Sequence, residues 1–267
     1  MLTTLDLPAR ASKPRPTGLT MVIDSGLPLR AFYDVVESWS PYIDLVKFGW
    51  ATAVISRQLP EKLAALRNVG IDYFFGGTLF EKHLSQNRFE DFRRLCSRAR
   101  CRYVEVSNGT LPISNAEKAH YVHALTAEFT VLSEVGFKQT FRDATLRPAD
   151  WAKFAHEDLA AGASLVITES RESGTTGIAR GDGTCRGDVL DALFGSGLLP
   201  EQLLFEAPTK SLQTHLIGRV GSDVNLGNIA PADVASLETL RLGLRGDTML
   251  LFDTASAHQS GPVRAIA

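Results

Sequence analysis

The sequence predicts a single-domain α/β protein of the (β/α)8 TIM barrel class. Three observations predict it. Eight short apolar runs recur along the 267-residue chain at intervals of about 29 residues, the length taken together by a strand, a loop and a crossover helix. The segments between them carry apolar stripes of helical period. Polar residues gather at the C-terminal end of run after run, the face at which such barrels hold their sites. A doubly wound open sheet is the rival architecture. The first run lacks the Gly-x-Gly-x-x-Gly loop of its dinucleotide-binding form.

The runs cover residues 20–24, 42–50, 71–77, 103–109, 130–136, 164–170, 203–208 and 223–229. Pro60 sits where the first residue of the helix after the second run belongs, and Gly70 follows its stripe as a helix-ending glycine does. Ser114, with Glu117 three residues on, forms a capping-box signature before a helix over 119–129. Pro148 opens a helix over 149–161 that places Trp151, Phe154, Ala155 and Leu159 on one stripe and stops at Gly162. Pro231 opens the last one, over 232–244, with Val234, Leu237, Leu240 and Leu244 aligned. Residues 18–253 therefore read as the barrel. Residues 1–17 carry Arg10, Lys13 and Arg15 but are interrupted by Pro8, Pro14 and Pro16, and read as a flexible arm and not a signal peptide. Residues 254–267 are small and polar and read as a flexible tail.

With 28 Lys plus Arg against 30 Asp plus Glu, the net charge of −2 argues against nucleic acid or an acidic membrane as partner. No apolar run approaches the roughly 20 residues that span a bilayer. Cys96, Cys101 and Cys185 are odd in number and lack zinc-ligand spacing, so they read as reduced thiols of a cytoplasmic protein. His120 and His123 fall on a flanking helix, away from any chemistry. Neither a Gly-x-Ser-x-Gly elbow nor a Walker loop is present.

The candidate site lies at the ends of the runs. The first ends in Asp24; the second carries Asp44 and Lys47; the fourth carries Glu105, Ser107 and Asn108; the fifth carries Glu134. The sixth ends in Thr168-Glu169-Ser170-Arg171-Glu172, the seventh in Glu206, and the eighth holds Asn225 and Asn228. Strand alternation turns Glu105 inward, opposite in sense to Val104 and Val106. It lets only one of Asp44 and Lys47 point in, and Lys47 is nearer the strand's end. Buried carboxylates must be paired, protonated or metal-bound. Glu105, Glu134, Glu169 and Glu206 therefore call for cations, which Lys47, Lys138 and Arg171 supply in part and a hard divalent ion such as Mg2+ could complete. The bland alternative is a structural ion-pair network. Barrels often bind phosphate at the loops after strands seven and eight. That adds Lys210, Asn225, Gly227 and Asn228 as candidates, and the glycine-rich loop after strand six adds Ser173 and Gly174 beside Arg171.

The same stretches carry a family resemblance. Thr20-Met-Val-Ile-Asp24-Ser-Gly-Leu-Pro28, Asp44-Leu-Val-Lys47-Phe-Gly-Trp50, Phe75-Gly-Gly-Thr-Leu-Phe-Glu81, Leu132-Ser-Glu134-Val-Gly136, Thr168-Glu-Ser-Arg171-Glu-Ser-Gly174, Phe205-Glu206-Ala-Pro208 and Val224-Asn225-Leu-Gly-Asn228-Ile229 resemble phosphosulfolactate synthases, in order, over about residues 18–250. The resemblance implies a (β/α)8 barrel and a Mg2+-dependent addition of sulfite to phosphoenolpyruvate, giving (2R)-O-phospho-3-sulfolactate. In archaeal members this is a step of coenzyme M biosynthesis. It further implies a metal-stabilised aci-carboxylate protonated at C2 by Lys47 or Lys138, with Arg171 on the phosphate or sulfite, and a homo-oligomer, a trimer. Two alternatives stand beside it: a heat-stress-associated barrel of the same family without catalysis, and a lyase for another phosphorylated enol or keto acid. One position departs from the family pattern: Phe137 stands where a first lysine is usual, and Lys138 keeps the second.

Overall fold

The computed structural model describes residues 4–252 except 139 and 144. Eight parallel strands form a nearly closed barrel: β1 Thr20–Asp24, β2 Leu45–Phe48, β3 Asp72–Phe75, β4 Tyr103–Val106, β5 Thr130–Val135, β6 Leu165–Thr168, β7 Leu203–Glu206 and β8 Leu226–Ile229. The helices between them are α1 Leu29–Trp39, α2 Leu59–Asn68, α3 Gly77–Leu84, α4 Phe89–Arg98, α5 Asn115–Leu125, α6 Thr140–Asp143, α7 Pro148–Ala160, α8 Gly187–Gly195, α9 Lys210–Val220 and α10 Val234–Arg241. Each expected run contains one strand. The capping box at Ser114 is formed, and it starts α5 at Asn115, earlier than the apolar stripe alone suggested. Pro231 opens a 3-10 turn, and the last α-helix begins only at Val234, which makes it shorter than expected.

Inside the barrel, alternation sorts each strand into a lower and an upper position. Met21, Leu45, Phe74, Leu132, Ile167 and Leu204 pack together as a dry plug, each side chain contributing about 1.5–3 kcal/mol by its burial. Two residues further along the same inward face stand Lys47, Glu134, Glu169 and Glu206, and Glu105 stands likewise above Tyr103. Register keeps this layer together. Glu105 pairs level with Leu132, and Glu134 level with Ile167. The acids thus climb from strand to strand with the stagger that closing a tilted barrel requires. The outward faces pack on the helices in two large apolar clusters.

The ladder runs β3-β2-β1-β8-β7-β6-β5-β4, leaving β3 and β4 adjacent but without ladder bonds between them. Side chains stitch this seam. The Gly77 amide donates to Glu105 Oε1 at 2.6 Å, and Tyr73 Oη, itself receiving Arg67, donates to the Ala99 carbonyl at 2.8 Å. Between β1 and β8, Thr20 pairs with Leu226 but Val22 with Ile229, so β8 carries a bulge. Asn228, at φ 53°, takes the left-handed conformation within it.

Residues 4–17, expected as a loose arm, are tied across the barrel base. Arg10 pairs with Asp223 at 2.7 Å and Glu238 at 3.0 Å, Arg15 pairs with Asp44 at 3.0 Å, and Lys13 donates to the carbonyls of Ser40 and Ile43. Three guanidinium and ammonium groups that looked like solvated charge in the sequence thus have specific partners. The expected tail, 254–267, lies outside the described residues.

Candidate active site

A cavity of about 580 Å³ opens at the C-terminal end of the strands, over the apolar plug. Lys47, Glu105, Glu134, Glu169 and Glu206 form its floor, and Lys138, Arg171 and Asn228 line its wall. Lys47 Nζ lies 2.9 Å from Glu105 Oε2, 2.9 Å from Glu206 Oε1 and 3.6 Å from Glu134 Oε2. Lys138 reaches in from the loop after β5, to 3.3 Å from Glu134, 3.6 Å from Glu81 and 3.9 Å from Glu169. Glu206 also accepts the Ser170 amide at 2.8 Å.

Two glycines make this packing possible. A Cβ on Gly77 would lie 2.7 Å from Glu105 Oε1 and 2.3 Å from Ser107 Oγ, so a side chain there would expel the amide that holds the carboxylate. Gly136, at φ +123°, would press a Cβ to 2.6 Å from that of Glu169. It turns the chain sharply after β5 and so brings Lys138 back over Glu134.

Four carboxylates face two ammonium groups on this floor, and the imbalance governs their ionisation. Burial, reinforced by neighbouring acids, pushes Glu105 up to about 7 in spite of Lys47. Burial with the charges of Glu134 and Glu206 raises Glu169 well above the carboxylate range, and burial raises Glu206 as well. Glu134 is the exception: burial opposes its charge, but Lys138 and Lys47 outweigh burial and bring it down to about 2. Burial also disfavours the charge on both lysines, yet the surrounding glutamates prevail and raise them, so both stay protonated. Both oxygens of Glu134 and Oε2 of Glu105 are buried with no aligned hydrogen-bond donor among the described residues. Carboxylate oxygens of Glu134, Glu169 and Glu206 lie within 4.8 Å of one another, close enough to share one cation.

Several residues expected at the site stand elsewhere. Asp24 points away from the cavity, where it caps the following turn through the amides of Gly26 and Leu27 at 2.8 and 2.7 Å and pairs with Lys62 at 2.5 Å. Ser107 donates to Glu81 at 2.7 Å, and Asn108 donates to the Ile113 carbonyl at 3.1 Å. Asn225 lies at the opposite end of the barrel, bonded to the Leu19 amide and the Leu203 carbonyl, because β8 starts only after it. Gly227 belongs to the plug, where a Cβ would sit 2.5 Å from Leu204 and Met21. Lys210 opens α9 on the surface and pairs with Asp247 at 3.0 Å. Ser173 bonds Thr175 on the exposed loop after β6, and Gly174 closes a turn there onto the Arg171 carbonyl. Asn228 does reach the cavity, and the β8 bulge is what aims it there.

Sequence reasoning missed Glu81, Trp50 and Thr78. Glu81 is buried on α3, where it accepts Ser107 Oγ and the amides of Thr110 and Leu111 and approaches Lys138. A strand-end search does not see it, although it closes a stretch already noted for resemblance. Phe137 stays out of the site: it is half-buried, with the Arg142 guanidinium 4.0 Å above its ring. The side chain that enters the cavity is that of Lys138.

Comparison with known proteins fits this geometry. The family model for (2R)-phospho-3-sulfolactate synthase (ComA) matches residues 8–247. The chain belongs to the phosphosulfolactate synthase family. It is an enzyme of that carbon–sulfur bond-forming lyase class. The phosphosulfolactate synthase of Bacillus subtilis strain 168 is 47% identical over 247 residues, covering 92% of this chain and 98% of that protein. The phosphosulfolactate synthase of Methanothermobacter thermautotrophicus is 40% identical over 247 residues, covering 91% of this chain and 95% of that one. Among solved structures, phosphoenolpyruvate phosphomutase from Streptomyces platensis subsp. rosaceus superposes with a TM-score of 0.53 at 14% identity, over 83% of this chain and 79% of that one, a likeness of fold alone. No described helix is long and apolar enough to cross a membrane.

Proposed function

We propose that this chain adds sulfite to C3 of phosphoenolpyruvate, giving (2R)-O-phospho-3-sulfolactate, with Mg2+ as cofactor. The observation that carries the reading is the group of buried carboxylates with orphaned oxygens beside two protonated lysines. All-oxygen donors gathered at one point suit a hard divalent cation, and Glu134, Glu169 and Glu206 would hold it. When bound, such an ion supplies Lewis-acid stabilisation of the negative charge that grows on the substrate carboxylate.

The chain's own groups do the rest. Sulfite uses its sulfur lone pair to form the C3–S bond, and the C2=C3 π electrons move toward the carboxylate. Lys138 then delivers a proton to C2, which fixes the R configuration, and no group leaves. Lys138 suits this role better than Lys47. Its contacts are longer, at 3.3–3.9 Å, and its side chain is 20% exposed against 8% for Lys47. Lys47, clasped at 2.9 Å by two carboxylates, holds the acid layer together and keeps its field constant. Arg171, at the cavity wall with its backbone-directed bond to the Lys138 carbonyl, offers a planar fork to the phosphate, with Asn228 across from it. A homotrimer, implied by family resemblance, belongs to the same reading and is checked by sedimentation.

The test is mass spectrometry of the product from phosphoenolpyruvate, sulfite and Mg2+, in D2O, with and without EDTA. The expected result is phosphosulfolactate carrying one deuterium at C2, lost on chelation. Folded protein that yields no product would refute the reading.

A further inference from the structure

We propose that Trp50 is a specificity-determining residue of this site, an indole wall that covers the apolar methylene edge of the bound substrate. The inference rests on the reaction proposed above and adds a contact to it.

The cavity has two unlike halves. From β4 round to β7 it is mostly carboxylate and ammonium, whereas from the β7 loop through β8 and β1 to β2 Ile23, Trp50, Pro208 and Ala230 bring apolar surface to it between the polar Ser25, Lys47 and Asn228. Phosphoenolpyruvate has matching unlike edges: two anionic groups, and a CH2 terminus that water solvates poorly. Trp50 is the one large aromatic side chain among the residues lining the cavity, and 54% of it is exposed. Apolar area of that size at a cavity rim gains from being covered by a ligand.

The backbone is built to put the indole there. Gly49 closes β2 against Ile23, where a Cβ would lie 2.6 Å from Ile23 Cδ1. Trp50 and Ala51 then take φ values of 51° and 54°, two consecutive non-glycine residues in the left-handed region. That conformation is disfavoured for any residue with a Cβ, and such strain concentrates at functional sites. It is held by the Thr52 amide and hydroxyl, which donate to the Gly49 carbonyl at 3.0 and 2.8 Å, and by the Gly49 amide, which donates to the Asp24 carbonyl at 3.0 Å.

The test combines fluorescence and kinetics on the full chain. The other tryptophans, Trp39 and Trp151, lie outside the cavity lining. Titration with phosphoenolpyruvate should change the emission of the wild type and leave that of Trp50→Phe unchanged. Trp50→Ala should raise KM for phosphoenolpyruvate at least ten-fold with a smaller change in kcat, and Trp50→Phe should recover most of the loss. An unaltered KM in a folded Trp50→Ala variant, or a fluorescence response that survives in Trp50→Phe, would overturn the proposal. Wild-type turnover is scored separately. Its absence counts against the proposed reaction, and the fluorescence titration still decides the role of Trp50.

Discussion

Lys47 and Lys118 both lose their water on folding, and the chain surrounds them in opposite ways. Lys118, on α5, is fully buried outside the barrel wall and has one carboxylate, Asp158 of α7, at 2.7 Å. Its other bond goes to the Glu134 carbonyl at 2.7 Å, and Asp158 in turn accepts Ser133 at 2.8 Å and Asn115 at 3.3 Å. Charges match one to one and both oxygens of Asp158 have donors. Lys47 instead faces three carboxylates, and three of the acid layer's oxygens have no aligned hydrogen-bond donor among the described residues. A balanced buried pair serves the fold, whereas an unbalanced cluster is tolerated only where something else completes it. The two sites even share a residue. Lys118 grips the main chain of Glu134 from outside, while the side chain of Glu134 works within.

The comparison can be broken or sharpened by substitution. The largest effect on stability is expected from Asp158→Asn, which leaves Lys118 buried without its counter-charge. A loss of about 3–5 kcal/mol in urea unfolding is expected, with turnover nearly retained at temperatures where the variant stays folded. Glu169→Gln should do the reverse. Glu169 already favours its neutral form by burial and the acids around it, so the amide should leave the melting temperature unchanged or slightly higher. Turnover should fall on the order of 100-fold, about 2.7 kcal/mol. Equal destabilisation by the two variants would put both clusters in the same structural class. Next comes Mg2+ itself. At 100 times its dissociation constant it should add about 2.7 kcal/mol to wild-type stability, as much to Asp158→Asn, and far less to Glu169→Gln, read by thermal shift with an EDTA control. The smallest effect is expected from Phe137→Lys, which places a second lysine beside Lys138 but outside the cavity lining. It should alter kcat less than about two-fold and cost the packing of Phe137 against Arg142 and against the apolar cluster beneath it.

How far the sequence carried this picture follows from the range of the interactions involved. The eight runs, the Ser114 cap and the helix starts at Pro60 and Pro148 are written in residues close along the chain, and the structure has them, whereas Pro231 opens a 3-10 turn and the last α-helix waits until Val234. The acid layer was legible because alternation fixes the face of Lys47 and Glu105. Asn225 and Asn228 show the limit: three residues apart on one run, they end at opposite ends of the barrel, since the start of β8 and its bulge are set by pairing with β1 and β7. Glu81 was out of reach for a similar reason. Its partners Ser107, Thr110, Leu111 and Lys138 are 26 or more residues away, brought together only by closure of the barrel. Arg10 and Arg15 looked like loose charge because their acids, Asp223, Glu238 and Asp44, are equally remote.

The seam between β3 and β4 gives Glu105 a second employment. One of its oxygens faces Lys47, and the other receives the Gly77 amide across the only unladdered junction among the described strands. A hoop with one unsoldered joint parts there first. When this barrel loosens, by heat or by pulling, Glu105 must let go of α3 before the strands separate. Hydrogen exchange should show the Gly77 amide opening ahead of the β5–β6 ladder. The enzyme then behaves like a fuse: its chemistry disconnects while most of its architecture still stands, and cooling should reconnect both.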